Sequence, residues 1–167
     1  KLVPLRFGNQ DPFGLKARNK EQKFALELLL DEEVRLVTLI GKAGTGKTLI
    51  ALASGLQKVV EDSRYRRLAV SRPVIPMGND LGFLPGDINE KLRPWMQPIY
   101  DNLEFLFNNR DKNEKIDQLV NSMKDLNILE LEALTYIRGR SIPNQFLLAD
   151  EAQNLSPHEI RTVITRV

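Results

Sequence analysis

The apolar positions change period several times along the chain, and each change marks the end of one predicted element. Val34–Ile40 is a β-branched run that ends at a glycine, which is typical of a buried strand. The apolar residues after the next polar segment recur at helical spacing and predict a helix: Leu49, Leu52, Ala53, Leu56, Val59 and Val60. Short apolar runs at 68–71 and 146–149, with a weaker one near 127–131, predict three further strands.

Helices are predicted between these strands. Asn19 is expected to cap a helix that runs through Leu29, and a small helix is expected near 115–124. Ser156 and Glu159 form a capping box that begins the last helix. Strands that alternate with helices indicate an α/β fold, with a parallel sheet covered by helices on both faces. Ligands of such sheets bind at the carboxyl ends of the strands.

Residues 73–87, with four glycine or proline signals, are typical of a long functional loop, and a long helix follows them. Asp87 begins a capping box for this helix, whose apolar face would be Ile88, Leu92, Trp95, Ile99, Leu103 and Leu106. Pro94 and Pro98 should bend or interrupt it. Trp95 offers a ring on which a base could stack, but its place on the apolar face favours core packing.

The chain has 167 residues, which is enough for one domain with a sizeable core. Residues 1–18 are rich in glycine, proline and turn formers and indicate a linker or arm. Residues 19–167 then form the predicted domain. Because the chain begins at Lys1 rather than at methionine, we expect it to be part of something longer.

Composition narrows the possible classes of function. The chain has no cysteine, which excludes disulfides, thiolate metal sites and thiol catalysis, and which fits a cytoplasmic protein. No apolar run approaches the length of a membrane span, so no membrane partner is predicted. The net charge of +2 and the pI of about 8.9 do not by themselves indicate a nucleic-acid binder.

The segment after the first predicted strand carries the clearest chemical signal. It matches the phosphate-binding pattern G-x-x-x-x-G-K-[ST] through Gly41, Lys42, Ala43, Gly44, Thr45, Gly46, Lys47 and Thr48. Successive backbone N–H groups and the following helix N-terminus would hold phosphate oxygens. Lys47 should reach the β- and γ-phosphates of ATP, and Thr48 should offer its hydroxyl to Mg²⁺. The alternative is a glycine-rich turn followed by a chance Lys-Thr pair.

An acidic pair follows the last predicted strand, at the same edge of the sheet as the phosphate loop. Asp150 would hold Mg²⁺ through its water, and Glu151 would orient and deprotonate the attacking water. The alternative is an acidic turn at a strand end. The phosphate loop favours the catalytic interpretation, and a base beside the metal ligand favours hydrolysis over phosphoryl transfer to a bound acceptor.

Several longer motifs resemble the PhoH family. They are Phe13–Gln22, Gly41–Thr48, Ser71–Gly78, Asp80–Gly86, Arg138–Gln145 and Asp150–Glu159. The resemblance runs from about residue 13 to the end and implies a RecA-like core related to helicases, ATP hydrolysis, action on RNA and a homo-oligomer such as a hexamer. The opening stretch is most similar to the longer members, in which a PIN ribonuclease domain precedes the ATPase.

The resemblance also implies roles for residues outside the two motifs. Gln22 would correspond to the adenine-reading glutamine before the phosphate loop, although a surface glutamine is the alternative. Gln153 would sense the γ-phosphate or couple the site to nucleic acid. Arg72, Arg138 and Arg140 would contact RNA phosphates or a neighbouring subunit's nucleotide, since guanidinium groups suit either task. Solvated charge at strand ends is the alternative for each of them.

Family members continue beyond the last helix into a strand that lies between the phosphate-loop strand and the Asp-Glu strand. The resemblance therefore implies a domain that is truncated at its C-terminus. Two other classes of function remain open on the sequence. One is a nucleotide-dependent switch or assembly module without motor activity, and the other is a small-molecule kinase.

Overall fold

A computed structural model describes residues 3–73, 88–109, 116–133 and 143–165. These ranges contain five helices and three strands. In chain order they are α1 Lys20–Leu30, α2 Lys47–Leu56, β1 Arg67–Arg72, α3 Ile88–Asn108, α4 Ile116–Asp125, β2 Leu129–Ala133, β3 Gln145–Ala149 and α5 Pro157–Ile164. Shorter turns lie at Pro12–Gly14, Gln57–Glu61 and Ala152–Asn154.

The three strands form one parallel sheet in the order β2-β1-β3. Val70 in the central strand lies opposite Leu131 on one side and Leu148 on the other. Parallel neighbours end at the same edge of the sheet, so Arg72 at the end of β1 and Asp150 just after β3 come together there. This is the edge of the sheet at which the sequence predicts the nucleotide-binding site.

Side chains pack on both faces of the sheet, with the main core on one face and a small, partly buried cluster on the other. Phe146 and Leu148 of β3 pack against the main core, whereas Leu147 and Ala149 point to the opposite face, where Val163 of α5 belongs to the same small cluster. Fully buried members of the main core come from all the remaining elements: Leu26, Leu52, Leu56, Leu68, Val70, Ile99, Leu103, Leu106, Val120 and Leu129. The predicted mixed α/β fold is confirmed.

The first predicted strand, Val34–Ile40, is wrong as a strand: the structure assigns it no secondary structure and pairs it with none of the strands it describes. Its side chains still alternate, since Val37 and Leu39 pack against the core while Leu36 and Ile40 are 63% and 92% exposed. The period-2 pattern is therefore real. A strand also needs a neighbour for its backbone hydrogen bonds, and none of the described segments supplies one.

The helix ends follow the sequence signals closely. Asn19 accepts a hydrogen bond from the backbone N–H of Gln22 at the start of α1. At the start of α5, the Ser156 hydroxyl and the Glu159 carboxylate form both bonds of a capping box. Helix α2 continues the phosphate loop and passes into one π-turn at Gln57–Glu61. The predicted starts of α1 and α5 are confirmed.

Helix α3 is continuous, and one residue of its predicted apolar face departs from the prediction. It is one helix of 21 residues that includes Pro94 and Pro98, so neither proline interrupts it. Trp95 is half-buried and is not part of the hydrophobic core that the described residues form, whereas Met96 is buried there. The expected packing of Trp95 is therefore wrong. The core-facing stripe is set by Met96 and Ile99, which reach the core one turn apart.

The segment before α1, which the sequence indicates as a linker or arm, packs on the domain. Phe13 is buried, and its ring meets that of Phe107 edge-on, with 5.3 Å between ring centroids. Its backbone N–H donates to Oε1 of Gln57 at 2.8 Å. Leu15 is buried in the same core. This packing holds Phe13 in a left-handed conformation, with φ of 49°.

A carboxylate on α1 holds the beginning of the same segment. Glu27 accepts hydrogen bonds from three successive backbone N–H groups, those of Arg6 at 2.9 Å, Phe7 at 2.6 Å and Gly8 at 2.8 Å. The N–H of Arg6, with those of Phe7 and Gly8, lowers the pKa of Glu27 below its usual value, because all three bonds favour the ionised carboxylate.

Four of the predicted features lie outside the described residues. They are the loop at 73–87 beyond Pro73, the capping role of Asp87, and the arginines Arg138 and Arg140. In the part of the chain that the structure describes, none of the helices combines the length and apolar character that crossing a membrane requires.

Candidate nucleotide-binding site

The phosphate loop between Ile40 and α2 has the backbone conformation that its glycines predict. Gly44 and Gly46 have φ of 75° and 85°, a region that side-chain-bearing residues rarely adopt. Gly46 is also the N-cap of α2, so the loop ends at a helix N-terminus. A glycine-rich loop thus leads directly into the positive end of a helix dipole, which is an arrangement that binds phosphate.

The ammonium of Lys47 lies within the loop. It donates to the carbonyl oxygens of Gly41 at 2.8 Å and Lys42 at 2.9 Å, and the Thr45 hydroxyl donates to the same Lys42 carbonyl at 2.9 Å. These bonds hold the positive charge in the concave part of the loop. A phosphate group that binds there must offer Lys47 a stronger acceptor than two neutral carbonyls, and an anionic oxygen does so.

The next side chain joins the loop to the acidic pair. The Thr48 hydroxyl donates to Oδ1 of Asp150 at 2.8 Å. The backbone N–H of Asp150 donates to the carbonyl of Ser71 at 2.9 Å, which continues the β1–β3 ladder and fixes where the carboxylate begins. Hydroxyl and carboxylate oxygens are the ligands that Mg²⁺ prefers, so Thr48 and Asp150 are a chemically suitable pair for it.

Glu151 has an unusual backbone conformation, and its carboxylate accepts a hydrogen bond. Its φ of 53° and ψ of 37° are left-handed, which turns its side chain away from the course of β3. The Gln153 side-chain amide donates to Oε2 of Glu151. The Glu151 side chain remains 40% exposed, so water can reach it. Glu151 thus occupies a position open to water directly beside Asp150, as a base in hydrolysis must.

Arg72 lies against both acids of the pair. Its Nε is 3.9 Å from Oδ2 of Asp150, and its Nη2 is 3.8 Å from Oε1 of Glu151. Its Nη1 donates to the backbone carbonyl of Trp95 at 3.2 Å. The role of Arg72 toward RNA or a neighbouring nucleotide stays a prediction. The contacts made within the described residues are with the acidic pair and α3.

Gln22 reaches the phosphate loop from α1. Its side-chain nitrogen donates to the Thr45 carbonyl at 3.1 Å, and its side-chain oxygen accepts from the backbone N–H of Arg18 at 2.7 Å. A glutamine with only a surface role would not be expected to bond to the loop. The structure therefore brings Gln22 to the site, and its reading of adenine stays a prediction.

Those residues predicted for the site that the structure describes thus fall in one place. Gln22, the phosphate loop, Asp150, Glu151 and Gln153 are joined by the contacts above. Sequence reasoning missed the contact of Arg72 with the acids. The available signal was that Arg72 and Asp150 each follow an apolar run typical of a strand, but the sequence does not say that these two strands are neighbours.

Sequence comparison relates most of this chain to known proteins. The sequence model of the family described as PhoH, PhoH-like protein, matches residues 14–167. Protein PhoH2 of Bacillus subtilis (strain 168) is 54% identical over 166 residues, which cover 99% of this chain and 37% of that protein. Protein PhoH2 of Mycolicibacterium smegmatis is 43% identical over 168 residues, again with 37% of that protein covered. A PhoH-like protein of Synechocystis is 40% identical over 129 residues, or 77% of this chain and 36% of that protein. The chain therefore spans little more than a third of the length of the curated relatives it matches.

Proposed function

Because this chain belongs to the PhoH family of P-loop nucleotide-binding proteins, we propose that it binds ATP together with Mg²⁺ and hydrolyses the bond to the terminal phosphate. The observation that carries the proposal is the bond from the Thr48 hydroxyl to Asp150, at 2.8 Å. It joins a phosphate-binding loop to an acidic pair that lies 102 residues further along the chain. If the two segments were only a glycine-rich turn and an unrelated acidic turn, no such bond between them would be expected.

Each residue has a defined task in this reaction. The backbone N–H groups of the loop and the ammonium of Lys47 bind the phosphates, and Thr48 with Asp150 would hold Mg²⁺, which neutralises charge on phosphate oxygens when it is bound. Glu151 accepts a proton from the attacking water. Its carboxylate is suitable because it is open to water and is kept in place by Gln153.

Binding is tested with Lys47→Ala. We expect this variant to lose detectable binding of a fluorescent ATP analogue, because backbone amides only partly offset the phosphate charge. Lys16→Ala is the matched control, since Lys16 is a lysine with a largely exposed side chain outside the loop. Unchanged affinity in Lys47→Ala would refute the assignment of the phosphate loop.

Hydrolysis is tested with Glu151→Gln in the full-length natural protein. The amide cannot accept the water's proton, so ATP should still bind while turnover nearly stops. Glu33→Gln is the control, because Glu33 is an exposed glutamate on the loop after α1. If turnover of Glu151→Gln stays within a few-fold of the unaltered protein, Glu151 is not the base.

We further propose that the natural protein works in the cytoplasm, uses ATP to unwind or remodel RNA, and does so as a homo-oligomer, which the family resemblance suggests is a hexamer, with a PIN ribonuclease domain in the same chain. Support for this part is the resemblance of the motifs, together with relatives that are nearly three times as long as this chain. Stimulation of ATP turnover by RNA tests it. ATP turnover that RNA does not change would favour the switch or assembly module instead.

A further inference from the structure

The side chain of Arg72 lies between three elements at the carboxyl edge of the sheet. It belongs to β1, it approaches the two acids that follow β3, and it donates to a backbone carbonyl of α3. Its side chain is 21% exposed, so most of the group is removed from water. A guanidinium presents five donors in a rigid planar fork, which allows it to meet acceptors on several sides at once.

Each oxygen of the Glu151 carboxylate has a side-chain nitrogen of another residue nearby. Oε2 accepts from the amide of Gln153, and Oε1 is the oxygen that Arg72 approaches at 3.8 Å. The left-handed backbone of Glu151 leaves its side chain without support from a continuing strand. Two neighbouring side chains therefore restrain the carboxylate, Gln153 through a hydrogen bond and Arg72 through an ion pair.

We propose that Arg72 is a positioning residue for the catalytic base: it holds Glu151 in the orientation from which the carboxylate reaches the attacking water. This inference rests on the proposed ATP hydrolysis. The bond to the Trp95 carbonyl ties the guanidinium to α3, so the orientation of Glu151 depends on where α3 lies. Such supporting contacts hold catalytic groups within the narrow geometry that proton transfer requires.

A purely structural role would look different, and the same strand provides an example. Arg67, at the start of β1, pairs with Glu130 on the neighbouring strand β2. That pair ties two strands together at the edge away from the phosphate loop. Within the described ranges, the side chain of Arg72 pairs instead with two acids beyond the end of β3 and with the backbone of a helix.

The test is the kinetics of Arg72→Ala in the full-length natural protein. A positioned general base contributes about 10²–10⁴-fold, so losing the residue that orients it should lower kcat by a part of that, about 10–100-fold. Affinity for a fluorescent ATP analogue should stay within about threefold, because the phosphate loop is not touched. Arg67→Ala is the matched control for the loss of an ion-paired arginine from β1 and should leave kcat nearly unchanged. Arg72→Gln, which keeps a side chain that can hydrogen-bond, provides a second variant should the alanine variant fold poorly.

A double-mutant cycle with Glu151→Gln separates positioning from general damage. If Arg72 acts through Glu151, adding Arg72→Ala to Glu151→Gln should lower the residual turnover no further. A further fall by the full factor, an unchanged kcat in the single variant, or a parallel loss of ATP affinity would each overturn the positioning role. If the unaltered protein shows no turnover that Lys47→Ala abolishes, the ATPase proposal fails and this inference fails with it. A turnover that needs Lys47 but is indifferent to Arg72 overturns this inference alone.

Discussion

Replacing Phe13 with alanine is expected to destabilise the whole domain, although Phe13 precedes the first helix by several residues. The ring is buried and meets Phe107 of α3 edge-on. Alanine keeps the Cβ atom, so the strain of the left-handed backbone at this residue is about the same before and after the change. The variant therefore reports the loss of the ring and of little else.

The magnitude follows from the burial of the ring. Truncating a buried phenylalanine to alanine costs about 3–5 kcal/mol, a figure that includes the aromatic contact and the cavity left behind. A domain of this size is stable by roughly 5–15 kcal/mol, so the variant should lose a large part of its stability. The corresponding fall in Tm is about 6–20 °C, at the 2–4 °C per kcal/mol usual for this length.

Urea denaturation followed by far-ultraviolet circular dichroism measures the free energy of unfolding of the variant. Val3→Ala is the control, because Val3 is 74% exposed in the same segment and should cost less than about 0.5 kcal/mol. A cost below about 1 kcal/mol for Phe13→Ala would refute the reasoning, since it would mean that the segment before α1 is not part of the core in solution.

Gln22→Ala should weaken binding of ATP more than binding of inorganic triphosphate, because the glutamine amide is expected to bind adenine. Competition titrations measure both affinities. Equal reductions in the two affinities would show that Gln22 does not recognise adenine. Glu27 has a lowered pKa in the folded protein, so the stability it contributes is present above its usual pKa of 4.5 and is lost as the pH falls through the lower folded value. Urea denaturation measured from roughly pH 6 down to pH 3 should therefore show that Glu27→Gln loses less free energy of unfolding on acidification than the unaltered protein. An equal loss in both proteins would contradict this. For RNA binding by the full-length protein, Arg138→Ala with Arg140→Ala should flatten the dependence of log affinity on log salt by about one unit for each phosphate that the variant no longer neutralises. An unaltered slope would assign both arginines to other tasks.

The features that the sequence predicts well are those decided by neighbours in the chain. The cap at Asn19 and the capping box at Ser156 depend on residues three positions away, and the phosphate loop on eight consecutive residues. Val34–Ile40 fails as a strand because pairing depends on a partner that the pattern cannot supply. The contact of Arg72 with the acids depends on strand order. The burial of Phe13 depends on a ring that the sequence places far away, on α3.

The bond between Thr48 and Asp150 has a consequence for the order in which the protein folds. Its two partners are separated by 102 positions, and the acids reach the loop only when β3 has docked beside β1. Contacts of such long sequence separation form late and slowly, because the intervening chain must lose much of its freedom first. Partly folded chains would therefore carry the loop without its acidic partner. ATP with Mg²⁺ should bind mainly to the finished molecule, and by mass action it would draw slow-folding chains toward that state.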